Sequence, residues 1–200
     1  MKRVKLIVEG KGELSAAISL VSKCAAHFNV NIVVAPPPIR AGEARKLRRA
    51  GELERHIELA ASHDVEEILI LLDLDDDCAV EFSKEFLDRG KPIADARGKK
   101  LKLCFCVREF ETWFLDSIDD LRSKLPEYNI DQFVSSQKVC DIRGAKEALH
   151  KLCRTKGYKP MRDQNIFVKK LNIRNLLRRN RSFRKFVKEI TDLDYCDLNT

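Results

Sequence analysis

The apolar run at residues 68–72, Ile-Leu-Ile-Leu-Leu, is followed at once by Asp73, Asp75, Asp76 and Asp77. A strand that is apolar on both faces belongs inside a parallel sheet. Carboxylates crowded at its end repel one another and resist burial. The fold must therefore bring them to a helix N-terminus, to bulk water or to a cation, and that choice governs what the chain does.

The segments around this run alternate in character. Residues 4–8 form a short apolar strand that ends at Glu9-Gly10. Leu14, Ala17, Ile18, Val21 and Ala25 recur at helical spacing over residues 13–28. Residues 30–35 read as a strand stopped by Pro36-Pro37-Pro38, and residues 43–62 as a helix carrying Leu47, Leu53, Ile57 and Ala60. A helix over 78–89, stopped by Gly90, and a fourth strand over 101–107 complete a β-α-β-α-β-α-β order. This order predicts an α/β, Rossmann-like fold, a mostly parallel four-stranded sheet with flanking helices in right-handed crossovers. After Arg108 the pattern turns helical, with segments at 110–115, 145–152, 173–178 and 182–190 and a polar connection at 128–141. Trp113 and Phe114 read as core. The expected division is an α/β core over residues 1–115 and a basic, mainly helical extension over 116–200 packed on it.

A chain of 200 residues can bury a real core. Its seven cysteines contain no C-x-x-C, and Cys104 and Cys106 point the same way from one strand, so reduced thiols and a cytoplasmic location are expected. The first residues read as a strand, not a signal peptide, and no apolar run approaches the roughly 20 residues that span a bilayer. The net charge is +7, unevenly placed: residues 143–188 hold 16 Lys and Arg against two acids, leaving 22 against 29 elsewhere. An acidic body with a strongly basic C-terminal part points to a polyanionic partner, most often nucleic acid.

In an open α/β sheet, ligands gather at the carboxyl ends of the strands. Three strand ends carry acids here: Glu9, then Asp73, Asp75 and Asp77, then Glu109 and Glu111. Hard divalent cations such as Mg²⁺ or Mn²⁺ are held by oxygen ligands of this kind. Helix capping by Asp76 or Asp77 accounts for one or two of these acids, not all. A calcium loop counted from Asp73 fails, because Cys78 and Lys84 stand where Gly and Glu are required. A dinucleotide fingerprint at Gly10 and Gly12 meets Ser15 in place of its third Gly, and Glu9 and Glu13 would face a pyrophosphate. A phosphatase with Asp73 as nucleophile fits Leu-Leu-Asp-Leu-Asp at 71–75 but has Asp77 where Thr or Val is expected.

The strand ending Val8-Glu9-Gly10-Lys11-Gly12-Glu13, followed by one ending Asp73-Leu74-Asp75, resembles the Toprim fold of topoisomerases, primases and OLD-type nucleases over residues 1–115. A closer likeness spans nearly the whole chain. Val-Arg-Glu-Phe-Glu-Thr-Trp-Phe-Leu at 107–115, Arg-Gly-Ala-Lys at 143–146, Tyr158-Lys159 with Asp163-Gln164, and Arg-Ser-Phe-Arg-Lys-Phe at 181–186 look like signatures of a Toprim-like bacterial and archaeal family of unknown function. Members are often encoded beside ATPases in suspected defence loci. The resemblance implies a metal-dependent nuclease core, an antiviral role and an ATPase protein partner.

On this reading Asp73 and Asp75 hold the metal, and Glu9 completes its shell or acts as general acid and base on a phosphodiester. Asp77 is a further candidate ligand. Glu109 and Glu111, two residues apart, cannot share one helix face, and Glu109, nearer the strand end, is the expected ligand for a second metal. Lys11, Arg108, Arg143, Lys146 and Lys159 are candidate phosphate contacts at the rim. Arg178, Arg179, Arg181 and Arg184 would extend a nucleic-acid surface with little sequence specificity, since no base-reading motif is present. A non-catalytic module that delivers nucleic acid to the ATPase is the other class of function considered.

Overall fold

The computed structural model describes residues 1–199. Strand β1 (Lys2–Val8) leads through helix α1 (Glu13–His27) to β2 (Ile32–Val34) and the two-residue β3 (Ile39–Arg40). Helices α2 (Ala44–Leu47) and α3 (Glu52–Ala61) precede β4 (Glu67–Asp73), and α4 (Ala79–Ala96) precedes β5 (Lys100–Cys106). The strands run in the order β2-β1-β4-β5, with β3 also paired to β1, and every pairing is parallel. The sheet has five strands, one more than expected. The prolines at 36–38 cannot donate to a ladder, so the chain leaves β1 after Val34 and rejoins it where Ile7 faces Ile39. Register sets Val8 beside Leu71 and Asp73 beside Cys106, so β1, β4 and β5 end at one edge.

Both faces of the sheet are covered. Ile7, Ile68, Ile70, Leu72, Leu103 and Phe105 pack under α2, α3 and α4. On the other face Val4, Leu6, Val8, Leu69, Leu71, Cys104 and Cys106 pack against α1 and the C-terminal helices. These are α5 (Thr112–Asp116), α6 (Ile118–Lys124), α7 (Ala145–Leu152), α8 (Pro160–Lys170), α9 (Ile173–Arg179) and α10 (Arg181–Thr191). Helix α8 lies on α1 and α10 lies on β5. Trp113, Phe114, Phe167, Phe183 and Phe186 are fully buried in the same core as the sheet residues. The C-terminal helices thus form one layer of the sandwich.

A buried polar chain fastens α10. The Asn180 Oδ1 caps the helix by accepting the Phe183 N–H at 2.9 Å, and its Nδ2 donates to Asp116 at 2.7 Å. Ser182 donates to the same Asn180 oxygen at 2.8 Å and accepts the indole N–H of Trp113 at 2.9 Å.

Two helices depart from the expected bounds. The helix expected over 43–62 is broken after Leu47, and the chain re-enters helix after Gly51, which adopts φ +81°. Helix α4 does not stop at Gly90 but runs through it and Pro92 to Ala96. A Cβ at Gly90 would lie 2.4 Å from Ile57 Cδ1 and 2.7 Å from Leu101 Cδ2, so this glycine serves close helix approach. Helix α6 was not singled out in the sequence, and α8 falls in the stretch after about residue 143 that was expected to be helical, though without bounds of its own; α7, α9 and α10 match their expected segments closely.

Gly90→Val should force Ile57 and Leu101 aside and destabilise the chain by about 1–3 kcal/mol, the usual range for overpacking. Urea unfolding measures this; an unchanged midpoint would mean that α4 has room to spare.

Candidate active site

Where β1 ends, the turn Gly10-Lys11-Gly12 leads directly into α1, and its first residue, Glu13, folds back on the turn. Glu13 Oε2 accepts the N–H of Glu9 at 3.1 Å and Oε1 accepts that of Gly10 at 3.2 Å. Glu9 Oε2 in turn accepts the N–H of Asp73, at the end of β4, at 3.3 Å. Asp73 Oδ1 accepts the N–H of Phe110, beyond β5, at 2.8 Å. Glu111 then accepts the Tyr158 hydroxyl at 2.9 Å and Gln164 Nε2–H at 3.4 Å. Acids from three strand ends thus meet, and α8 closes them off. The approach of α8 depends on Gly12, where a Cβ would sit 2.5 Å from Gln164 Oε1 and 3.0 Å from the Pro160 carbonyl oxygen.

Glu13 and Glu111 are buried and Glu9 and Asp73 half-buried, yet among the described residues no Lys or Arg forms an ion pair with any of them. Burial pushes Glu9 up to about 7 against the pull of the Asp73 N–H, and the charge of Asp75 adds to the rise. Burial, then the charge of Glu9, pushes Glu13 to about 7. Asp73 is driven well above the usual carboxylate range by burial, then by Glu13, Glu111 and Glu9. Glu111 is also raised by burial, with Lys146 and the Tyr158 hydroxyl pulling the other way. For Lys146, burial is outweighed by Glu111, Glu109 and Asp73, which raise its ammonium. The four acids repel one another while the nearest cation stays outside ion-pair range.

The expected residues divide. Glu9, Asp73 and Glu111 lie in the cluster, and Lys146 sits at its edge. Asp75 does not continue the strand alternation from Asp73. The strand ends at Asp73, and Asp75 adopts φ +52° in an exposed turn, its N–H donating to the Arg108 carbonyl at 3.0 Å. It remains near enough to raise Glu9. Asp77 faces the other way, toward Arg45 at 3.5 Å and Arg48 at 3.6 Å. Cys78 occupies the N-cap of α4 without a side-chain cap, so neither Asp76 nor Asp77 caps that helix.

Glu109 is the less suited of its pair, against expectation. Its carboxylate accepts the N–H groups of Ala145 at 3.1 Å and Lys146 at 3.0 Å and so caps α7, whereas Glu111 turns inward. Arg108 and Arg143 both pair with Asp76, the latter at 3.1 Å. Lys11 and Lys159 are exposed, and the closeness of Gly12 to Pro160 brings their loops together. Arg178, Arg179, Arg181 and Arg184 lie on α9 and α10, beside β5. Sequence reasoning passed over Glu13, Tyr158 and Gln164 as site residues. Glu13 carried a usable signal: four residues after Glu9 across a Gly-x-Gly turn, it could return to the strand end.

Among the described residues, no three His, Cys, Asp or Glu side chains form a ready metal cage, so the expected six-acid ligand set is not assembled. The donors that do meet still suit a hard divalent cation, which commonly takes one or two carboxylates and completes its shell with water and phosphate oxygens. They are all oxygens, and the buried Gln164 Oε1, which has no hydrogen-bond partner among the described residues, adds a neutral one.

Comparison with known proteins bears on identity alone. The family model described as "Domain of unknown function (DUF4276)" matches residues 8–191, and the chain belongs to that family. No curated protein and no solved structure gives a significant match.

Because folding raises these carboxyl pKa values, the native state binds more protons than the unfolded chain between about pH 4.5 and 7. The stability of the metal-free protein should fall as pH rises through that window. Mg²⁺ or Mn²⁺ should restore the melting temperature more at pH 8 than at pH 5, because ligands must lose protons to bind. Glu13→Gln should flatten the metal-free profile; differential scanning calorimetry from pH 5 to 8 checks the sign.

Proposed function

We propose that this chain hydrolyses phosphodiester bonds in nucleic acid with a divalent metal, Mg²⁺ or Mn²⁺, held by one or two of the carboxylates of Asp73, Glu13 and Glu111, with water and phosphate oxygens completing its shell. The observation that carries the reading is the group of acids from separate strand ends, buried or half-buried and, among the described residues, without an ion pair. Gln164 Oε1, buried and unpartnered beside Glu111, supports it independently. When bound, the cation would supply charge to the phosphate oxygens and lower the pKa of a coordinated water.

The chain's own residues fall into roles around that site. Glu9, half-buried with a pKa near 7, is suited to take a proton from an attacking water and return it to the leaving oxygen. Tyr158, held protonated by burial and by Glu111, orients that carboxylate through its hydroxyl. Lys146, on the first turn of α7, would face the phosphate, and Glu109 fixes that turn. Lys11 and Lys159, exposed on adjoining loops, would hold the flanking backbone. The exposed Arg178 and Arg181, with Arg179 and Arg184, would add a long-range field that steers a polyanion toward the molecule. The Toprim likeness shares Asp73 as metal ligand and Glu9 as acid and base with these roles but would add Asp75, and an ATPase partner in a defence setting belongs to the same proposal. Asp73 suits a phosphatase nucleophile less well, because Asp77 stands where such an enzyme has Thr or Val and turns away to Arg45 and Arg48.

With single- and double-stranded DNA and RNA as substrates and Mg²⁺ or Mn²⁺ present, Asp73→Asn and Glu13→Gln should each abolish cleavage while retaining the wild-type circular dichroism. Tyr158→Phe should lower turnover by about 10–100-fold, the usual effect of losing a group that orients a metal ligand. Undiminished cleavage by Asp73→Asn would refute the proposal.

A further inference from the structure

Strand β5 is an edge of the sheet, and a groove of about 1000 Å³ runs along it. Its floor includes Leu103, Phe105 and Val107, with Ala79 and Ser83 of α4 on one wall and Arg181, Arg184 and Lys185 of α10 on the other. The ladder fixes which backbone groups face it. Lys100 N–H donates to Glu66 and Leu74 N–H to the Cys106 carbonyl, both at 3.0 Å, so residues 100, 102, 104 and 106 point their polar groups at β4. By alternation, Leu101, Leu103, Phe105 and Val107 point theirs into the groove. The Val107 N–H reaches Ser182 Oγ at 3.4 Å; among the described residues, the N–H and C=O of Leu103 and Phe105 have no partner outside the sheet. Both residues are only 5–6% exposed. Main-chain groups left unpaired at the edge of a sheet and open to a groove are met by water alone, and such an edge is the usual template for another strand.

The walls specify that partner. Lys138, Arg179, Arg181, Arg184 and Lys185 line the groove against one acid, Asp116, which is bonded to Asn180. Lys185 pairs with Glu189 and Arg179 donates to the Asp116 carbonyl at 3.0 Å. Lys138, Arg181 and Arg184 have no side-chain partner among the described residues. We propose that this groove binds an extended acidic peptide of a partner protein, which adds to β5 as a further strand. Alternate side chains of such a strand point to opposite walls. Acidic residues would face the α10 cations, and β-branched residues would lie against Ala79 and Ser83. A single-stranded nucleic acid could meet the cations, but it has no amide ladder to offer Leu103 and Phe105.

The probe is a fluorescein-labelled peptide of four Glu-Val repeats, titrated by anisotropy against the full-length chain. Saturable binding is expected, weakened at least tenfold by the double variant Arg181→Glu/Arg184→Glu. It should also be lost when the peptide amides on the β5-facing side are N-methylated but kept when only the opposite set is methylated. Asp73→Asn should leave binding unchanged, so failure here is distinct from failure of the proposed catalysis. Absence of binding, indifference to which amides are methylated, or binding of a mixed-sequence oligonucleotide but not the peptide through the two arginines would each overturn the proposal. So would a concentration-dependent dimer abolished by the same double variant, since a second copy would then occupy the edge.

Discussion

Main-chain N–H groups, not side-chain cations, hold the inner acids in place. Glu13 is fixed by the amides of Glu9 and Gly10, Glu9 by that of Asp73, and Asp73 by that of Phe110. Each donor belongs to a strand end or the turn beyond it, so the sheet register itself aims the carboxylates. An amide dipole orients a charge without neutralising it. Elsewhere the chain pairs its acids freely: Asp76 with Arg108 and Arg143, Asp77 with Arg45 and Arg48, and buried Glu67 with Lys2 and Lys102. The exception is confined to one edge, where neutral binding of protons or of a cation must supply what an arginine supplies elsewhere.

That edge exists only because the C-terminal helices complete it. Strands β1, β4 and β5 bring Glu9, Asp73 and Glu111 together, but burial of Glu111 comes from Tyr158 and Gln164, on and before α8. Gly12 allows α8 to sit against the turn, and Glu109 ties the start of α7 to the end of β5. The extension therefore sets the dielectric of the site as well as roofing the sheet. A water-exposed version of the same carboxylates would repel one another far less and would have ordinary acidity.

The parallel α/β order was legible because its strands and helices switch hydrophobic period cleanly at Gly and Pro. The fifth strand was not, because Ile39 and Arg40 pair with β1 through register alone, and two residues carry no pattern. Gly90 misled for a physical reason: sequence shows that a side chain is missing, not whether a turn or a neighbour needs the space. Glu9 and Asp73 stood out as acids closing apolar runs. Asp75 and Asp77 looked equivalent to them as alternate residues leaving the strand; the left-handed Asp75 breaks that alternation, and Asp77 turns to Arg45 and Arg48. Glu109 and Glu111 could be told apart only by what lies opposite each, the start of α7 in one case and Tyr158 in the other.

The excess of positive charge between residues 143 and 188 is less uniform than its sum implies. Arg162 is committed to the buried Asp163, Arg154 to Asp131, Lys185 to Glu189 and Lys188 to Asp194. These pairs fasten loops and helix ends, and a partner would gain little from cations already engaged. Among the remainder, two groups are set apart by the fold. Lys146 and Lys159 join Lys11 near the carboxyl ends of β1 and β4, where the inner acids make the local field negative and any anion must be met by cations placed above it. Arg181 and Arg184 stand on α10 beside an apolar strand edge where the N–H groups of Leu103 and Phe105 are unpaired among the described residues. One basic segment therefore presents two chemically different surfaces, because the layer it forms spans the sheet from the carboxyl ends of its strands to the open side of β5.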